Sequence, residues 1–154
     1  MDVNALEAAK KVLVKLRNAD YQAYFVGGCV RDMLMGKPMV DIDIATDAPP
    51  VIVSTIFSDV ISIGAAFGII VVKLEGYLFE VATFRNDGQY TDGRHPQQVK
   101  FSSMREDALR RDFSINGIYY DPFEDKLFDF VEGIRDIEKK VIRAIGHPRL
   151  RFAE

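Results

Sequence analysis

Two apolar runs joined by Glu75-Gly76 constrain this chain more than any other feature. Gly68 to Leu74 and Tyr77 to Phe84 are rich in β-branched and aromatic residues. A two-residue connection containing glycine folds such runs back on each other as an antiparallel hairpin. Parallel neighbours need a crossover of a dozen or more residues, so a wholly parallel sheet is excluded. Helical periodicity is present as well. From Val3 to Arg17, Leu6, Ala9, Leu13 and Leu16 recur at three- and four-residue steps, which predicts an amphipathic helix. The class is therefore α+β, or mixed α/β.

The remaining segments follow the same reasoning. Tyr21 to Val26 reads as a strand. Gly27-Gly28 follows it and opens a short helix through Arg31 and Leu34, which stops at Gly36-Lys37-Pro38. Val40 to Ile44 alternates strictly and reads as a strand. Thr46 or Asp47 can cap a helix to about Phe57, with Pro49 and Pro50 in its first turn. Val60 to Ile63 is a short strand, Arg85 to Pro96 a polar loop, and Val99 to Phe101 a brief strand. One or two helices are expected over Met104 to Tyr119 and another over Ile134 to Lys139. Leu127 to Phe130 and Val141 to Ala144 read as strands, with Phe123, Phe128 and Phe130 in the core. A final helix is expected from Pro148.

Composition narrows the class of function. At 154 residues, 48% hydrophobic and 28% charged, the chain reads as a globular domain with a core of its own. No apolar run approaches the ~20 residues of a membrane helix, and Met1 to Asn4 carries no sign of a signal peptide. The lone cysteine, Cys29, excludes an internal disulfide and a thiolate zinc cage. A cytoplasmic protein is expected. The net charge is −3. A domain that grips a long polyanion unaided is usually basic, so either the chain does not bind nucleic acid or the grip lies in a partner or in chain absent here, though Arg110-Arg111 could still hold individual phosphates.

Four groups of residues carry candidate chemistry. Period-two geometry sends Ile42 to one face of its strand and Asp41 and Asp43 to the other. Two carboxylates so placed repel and call for a cation, a proton or solvent. Their hard oxygens suit magnesium, which keeps several waters and is completed by substrate phosphates. Gly27-Gly28 lets backbone approach a phosphate at a helix N-terminus, and Arg31 adds a forked donor. The plainer alternative is a tight turn with Arg31 paired to Asp32. Glu80 lies in the run Leu78-Phe-Glu-Val-Ala82, either as a third carboxylate of a metal site or as a solvated edge residue. Finally, on a helix Asp112 and Asn116 share a face, as do Arg111 and Ile115. Arg111 could meet a triphosphate, Asp112 could orient it or a metal, and Asn116 offers donor and acceptor to a sugar.

Taken together, these segments resemble the class II tRNA nucleotidyltransferase and bacterial poly(A) polymerase family, within the DNA polymerase beta superfamily. The matching runs include Tyr24-Phe-Val-Gly-Gly-Cys-Val-Arg-Asp32, Asp41-Ile-Asp-Ile-Ala-Thr46 and Glu80-Val-Ala-Thr-Phe-Arg85. Tyr90-Thr-Asp-Gly-Arg-His-Pro96 and Arg110-Arg-Asp-Phe-Ser-Ile-Asn116 match as well. The resemblance runs from about Ala19 to Glu154. It implies a nucleotidyltransferase head built on a mixed five-stranded sheet over residues 1–145, with 146–154 opening a neck region. It implies two Mg²⁺ ions on Asp41 and Asp43, with Asp112 as a further catalytic carboxylate; Glu80 joins the catalytic candidates from its place in the strand pattern. The ATP or CTP triphosphate would lie against Gly27, Gly28, Arg31 and Arg111, with Asn116 beside it. The implied reaction is attack of an RNA 3′-hydroxyl on the α-phosphate, with release of pyrophosphate.

Within the family, Ile63-Gly-Ala-Ala-Phe-Gly-Ile-Ile70 is closer to the tRNA-adding form than to the basic stretch of poly(A) polymerases. A full loop from Arg85 to Pro96 favours competence for adding A, in a CCA- or A-adding enzyme. Family members continue past Glu154 with Asp-x-x-Arg, which recognises the base, and with helices that hold the tRNA 3′ end. A poly(A) polymerase, and a non-catalytic nucleotide-binding module, are the alternatives.

Overall fold

The computed structural model describes residues 3–87 and 99–146. The segment Tyr90 to Pro96 and the helix expected from Pro148 lie outside the described residues. The first helix, α1 (Val3–Asn18), buries Ala9, Leu13 and Leu16 completely. Then come β1 (Ala23–Val26), α2 (Gly28–Leu34), β2 (Asp43–Thr46), α3 (Pro50–Ile56) and β3 (Val60–Gly64). After a 3-10 turn over Ala65–Phe67 the hairpin follows, β4 (Ile69–Leu74) and β5 (Tyr77–Thr83). Glu75 and Gly76 both take left-handed backbone, φ 53° and 85°, as a two-residue hairpin turn with the strands' own twist requires. A short ribbon of β6 (Arg85–Asp87) and β7 (Val99–Phe101) leads to α4 (Met104–Leu109). A second 3-10 turn, Ser114–Asn116, precedes β8 (Ile118–Asp121), β9 (Lys126–Asp129) and α5 (Gly133–Glu138).

The main sheet has seven strands in the order β3-β4-β5-β2-β1-β8-β9, where five were expected. Only β2 and β5 run parallel; every other neighbouring pair is antiparallel. The fold class is therefore mixed α+β, as the hairpin and the helical periodicity require. An error at Met104 to Tyr119 bears on the strand count. Only its first third is α-helical. Gly117 is followed by Ile118-Tyr119-Tyr120, a β-branched and aromatic run that suits a half-buried pleated surface, and it pairs with β1 through Phe25 and Tyr120.

Alternation along the strands divides the interior in two. Phe25, Ile44, Val72, Phe79, Val81 and Ile118 point to one face, where α1, α2 and α3 cover them. Val26, Ala45 and Tyr119 point to the other face and pack with Phe84, Ala108, Val131 and Ile145. That second cluster covers only part of its face. The stretch between β2, β5 and β4 stays open, and the charged residues of interest stand there.

Smaller expectations also need correction. The first turn of α3 is capped by Pro49 without a side-chain bond. Thr46 ends β2 instead, its hydroxyl accepting from the Ala48 amide at 3.1 Å, while Asp47 accepts from the Gln22 amide at 2.7 Å. Val141 to Ala144 forms no strand beyond a single bridge between Phe113 and Ala144. Phe128 and Phe130 pack against the second cluster, but Phe123 is exposed, with the Arg17 guanidinium 5.2 Å from its ring.

Candidate active site

The acidic pair stands together, though by a different local route from the one expected. Regular β2 begins at Asp43, and Asp41 precedes it in left-handed backbone with φ 53°. Aspartate tolerates that conformation better than most residues. Ile42 is only 6% exposed and packs in the helix-covered core. Asp41 and Asp43 line an open cleft of about 460 Å³ together with Glu80, Val71, Leu78 and an edge of Ile42.

Strand register explains why Glu80 joins the pair. In the parallel ladder Ile44 is level with Val81, and both face the core. Their chain predecessors, Asp43 and Glu80, therefore share the opposite, open face. Burial, reinforced by the charges of Glu80 and Asp41, pushes the Asp43 carboxyl up to about 6, and the nearby Arg111 cation opposes the shift only in part. A carboxylate held this way is short of positive charge. Among the described residues no three His, Cys, Asp or Glu side chains converge closely enough to hold a metal ion unaided. The donor set nevertheless suits magnesium, which takes one or two carboxylates and completes its shell with water and phosphate.

The glycine turn lies directly beside this cleft. Val26 pairs with Asp43 across β1 and β2, so Gly27 emerges next to the acids. A side chain added at Gly27 would come within 4.0 Å of the Asp43 carboxylate, and the residue's φ of 82° also favours glycine. Arg31 folds back over Gly28, where an added Cβ would meet its guanidinium at 3.2 Å. The same guanidinium pairs with Asp32 at 3.0 Å and donates to Asn116 Oδ1 at 2.8 Å. Asn116 in turn donates to Asp112 Oδ1 at 3.4 Å. Residues 85 positions apart thus form one polar chain beside the glycine turn.

Two corrections concern the second motif. Asp112 and Asn116 do not share a helix face, nor do Arg111 and Ile115, because α4 ends at Leu109 and the chain turns through the 3-10 segment. Asp112 bends back to accept from the Phe113 amide at 2.6 Å, and the 3-10 turn returns Asn116 to it. Arg111 is not a free surface cation. Its side chain is 17% exposed, bonded to Asp107 at 3.1 Å and to the Tyr119 hydroxyl at 3.3 Å.

Asp107 and Tyr119 are the site-supporting residues that sequence reasoning missed. Asp107 is 1% exposed and accepts from Arg110, Arg111, the Tyr119 hydroxyl and the Arg85 amide. Burial alone would raise its pKa, but Arg111 and Arg110, with the hydrogen bonds, outweigh that and hold the carboxyl below its ordinary value. The signal was available in the three- and four-residue spacing of Asp107 to Arg110 and Arg111. Tyr119 carried none, since it was read as the end of a helix.

Comparison with known proteins identifies the family. Residues 23–143 match the poly A polymerase head domain. The chain belongs to that family. Relatives include the CCA-adding enzymes of Staphylococcus saprophyticus subsp. saprophyticus, 44% identical over all of this chain and 39% of that protein, and of Bacillus pumilus, 44% identical over 93% and 36%. The head domain superposes on the crystal structure of the Bacillus stearothermophilus CCA-adding enzyme in complex with CTP. The TM-score is 0.84 at 38% identity, over 96% of this chain and 35% of that one. This head domain thus spans rather more than a third of the length of the curated relatives it matches. Among the described residues no helix is long and apolar enough to cross a membrane.

Proposed function

We propose that this chain is the catalytic head of a template-independent RNA nucleotidyltransferase that adds CMP and AMP to tRNA 3′ ends from CTP and ATP. The observation that carries the reading is the meeting of Asp41, Asp43 and Glu80 in one cleft beside the Gly27-Gly28 turn. The naming of the relatives as CCA-adding enzymes, one of them in complex with CTP, supports it.

In this reading Asp41 and Asp43 hold two magnesium ions, and Glu80 adds a third carboxylate to the cluster. Such ions stabilise the charge on the attacking and leaving oxygens of an in-line displacement. The backbone at Gly27 and Gly28 admits the triphosphate closely, and Arg31 lies over that turn to meet its oxygens. Arg111, fixed by Asp107 and Tyr119, contributes positive charge from beneath rather than as a mobile finger. Asn116 and Asp112 hold Arg31 in place. The 3′-hydroxyl of the RNA attacks the α-phosphorus, a phosphodiester forms, and pyrophosphate leaves. In this reading the head extends to about residue 145, since Ile145 is still buried in the second cluster. The net charge of −3 supports a grip on tRNA that does not come mainly from this domain.

The test is Asp41→Ala in the full-length protein. Magnesium-dependent incorporation of labelled CTP or ATP should fall by roughly a hundredfold or more, because charge stabilisation in the transition state is lost. Near-normal incorporation rejects the assignment. The family match to poly A polymerases carries a second reading. Long homopolymeric tails on arbitrary RNA, with no preference for tRNA lacking its terminal nucleotides, would favour it.

A further inference from the structure

Arg31 lines a second cavity, of about 370 Å³, that shares no residue with the acid cleft. Its volume falls within the range of small-molecule sites. It lies where α2, α5 and the second 3-10 turn meet. The two helices end in the same way. Gly36 and Lys140 take left-handed backbone, φ 75° and 57°, and the next amides, of Lys37 and Val141, donate back to the Asp32 and Asp136 carbonyls at 2.8 Å. The residues that follow these sharp exits line the cavity: Lys37 after the first, Val141 and Ile142 after the second.

The lining divides into an apolar wall and a pair of cations. Met35, Ile115, Val141 and Ile142 supply the wall. None of them belongs to either core cluster, and Ile142 is 74% exposed. Lys37 and Lys140 are exposed, and neither forms an ion pair among the described residues. The two carboxylates of the lining are already engaged. Asp32 pairs with Arg31 at 3.0 Å, and Asp136 with Arg143 at 2.9 Å and with the Ser114 hydroxyl. The charge left uncompensated here is therefore positive, although the chain as a whole carries −3. No aromatic ring lines the cavity, so a nucleobase finds nothing to stack on. An aliphatic wall beside two lysines suits a molecule with a hydrocarbon body and one anionic end.

We propose that this cavity binds a small aliphatic anion, and that the bound anion weakens nucleotide binding through Arg31. The second half rests on the nucleotidyl-transfer reading, in which Arg31 meets the triphosphate. The Arg31 guanidinium is held by Asp32 and Asn116 over the Gly28 backbone. A negative charge in the cavity stabilises an Arg31 drawn away from that turn, and so shifts the population against the arrangement that receives phosphate. Covering the aliphatic wall adds affinity in proportion to the apolar area removed from water. The coupling is reciprocal, so bound CTP lowers affinity for the anion by the same factor.

The test uses the full-length protein, with monomeric octanoate and octyl phosphate as probes and 1-octanol as the uncharged control. Calorimetry should show a single octanoate site per chain, with octanol weaker by about tenfold or more. The Lys37→Gln, Lys140→Gln double variant should weaken octanoate by about tenfold, and Ile142→Asp by at least as much. All three side chains are exposed, so these variants keep the fold. The tighter of octanoate and octyl phosphate identifies the anionic end as carboxylate or phosphate monoester. Saturating octanoate should raise the KM for CTP by roughly fivefold with kcat unchanged, and the lysine double variant should not respond. No octanoate binding, equal binding of octanol, or binding that survives both sets of substitutions overturns the site. Octanoate binding with an unaltered KM for CTP overturns the coupling to Arg31. A wild-type protein with no transferase activity overturns the nucleotidyl-transfer reading and the coupling with it, and calorimetry then decides the site by itself.

Discussion

Asp43→Asn should stabilise the metal-free protein while removing its chemistry. Burial and the neighbouring Glu80 and Asp41 charges raise the Asp43 carboxyl from 3.8 to about 6. At 1.36 kcal/mol per pH unit, carrying that charge at pH 7.5 costs the folded state about 3 kcal/mol. The side chain is partly open to water, which screens the repulsion, so about 1–2 kcal/mol is expected on removing it. The sign follows from linkage. Between pH 3.8 and 6 the folded state holds a proton that the unfolded state has released, so wild-type stability falls as pH rises through that window. The advantage of the asparagine variant should be near zero at pH 4, grow to pH 6, and level off above it. Thermal unfolding in EDTA reads this as a rise of about 4 °C at pH 7.5. Added magnesium should narrow the gap, since ion binding stabilises only the wild type. A variant equal to or less stable than wild type at pH 7.5, with a difference independent of pH, would refute the reasoning.

Two further predictions concern residues that hold the site from behind. Asp107→Ala leaves Arg110, Arg111 and the Tyr119 hydroxyl without their shared buried acceptor. It should lower stability by about 3–5 kcal/mol in urea unfolding. In the wild type, the depressed pKa means that this contribution is present above pH 3.8 and is lost as pH falls through the lower folded value. Asn116→Ala removes the acceptor for Arg31 at a stability cost of only about 1 kcal/mol. The same variant should raise the KM for CTP in the full-length protein and leave the acceptor KM unchanged. An equal loss in both would show that Arg31 does not depend on Asn116 for its aim.

Much of the fold was legible because its signals are short in range. The Glu75-Gly76 turn, the apolar stripe of α1 and the Gly27-Gly28 break each depend on residues within one or two turns of chain. The burial of Ile42 between the two aspartates was also legible, although the alternation behind it does not reach Asp41, which lies outside the regular strand. The segment from Met104 to Tyr119 was misread because its composition is compatible with helix until Gly117. There, pairing of Tyr120 with Phe25, nearly a hundred residues away, decides for strand.

The sequence by itself determined the chemical inventory of this protein: which carboxylates, glycines and arginines are present, and, where a regular strand forms, which face each takes, as with Glu80 on β5. Only tertiary structure decided which of them meet. Parallel register between β2 and β5 puts Glu80 beside Asp43, and the 3-10 turn brings Asn116 to Arg31. The cage of Asp107 and Tyr119 makes Arg111 a fixed charge rather than a free one. Periodicity follows from local backbone geometry, whereas these meetings depend on pairings between segments far apart in the chain, whose energies are set by packing rather than by neighbours in sequence.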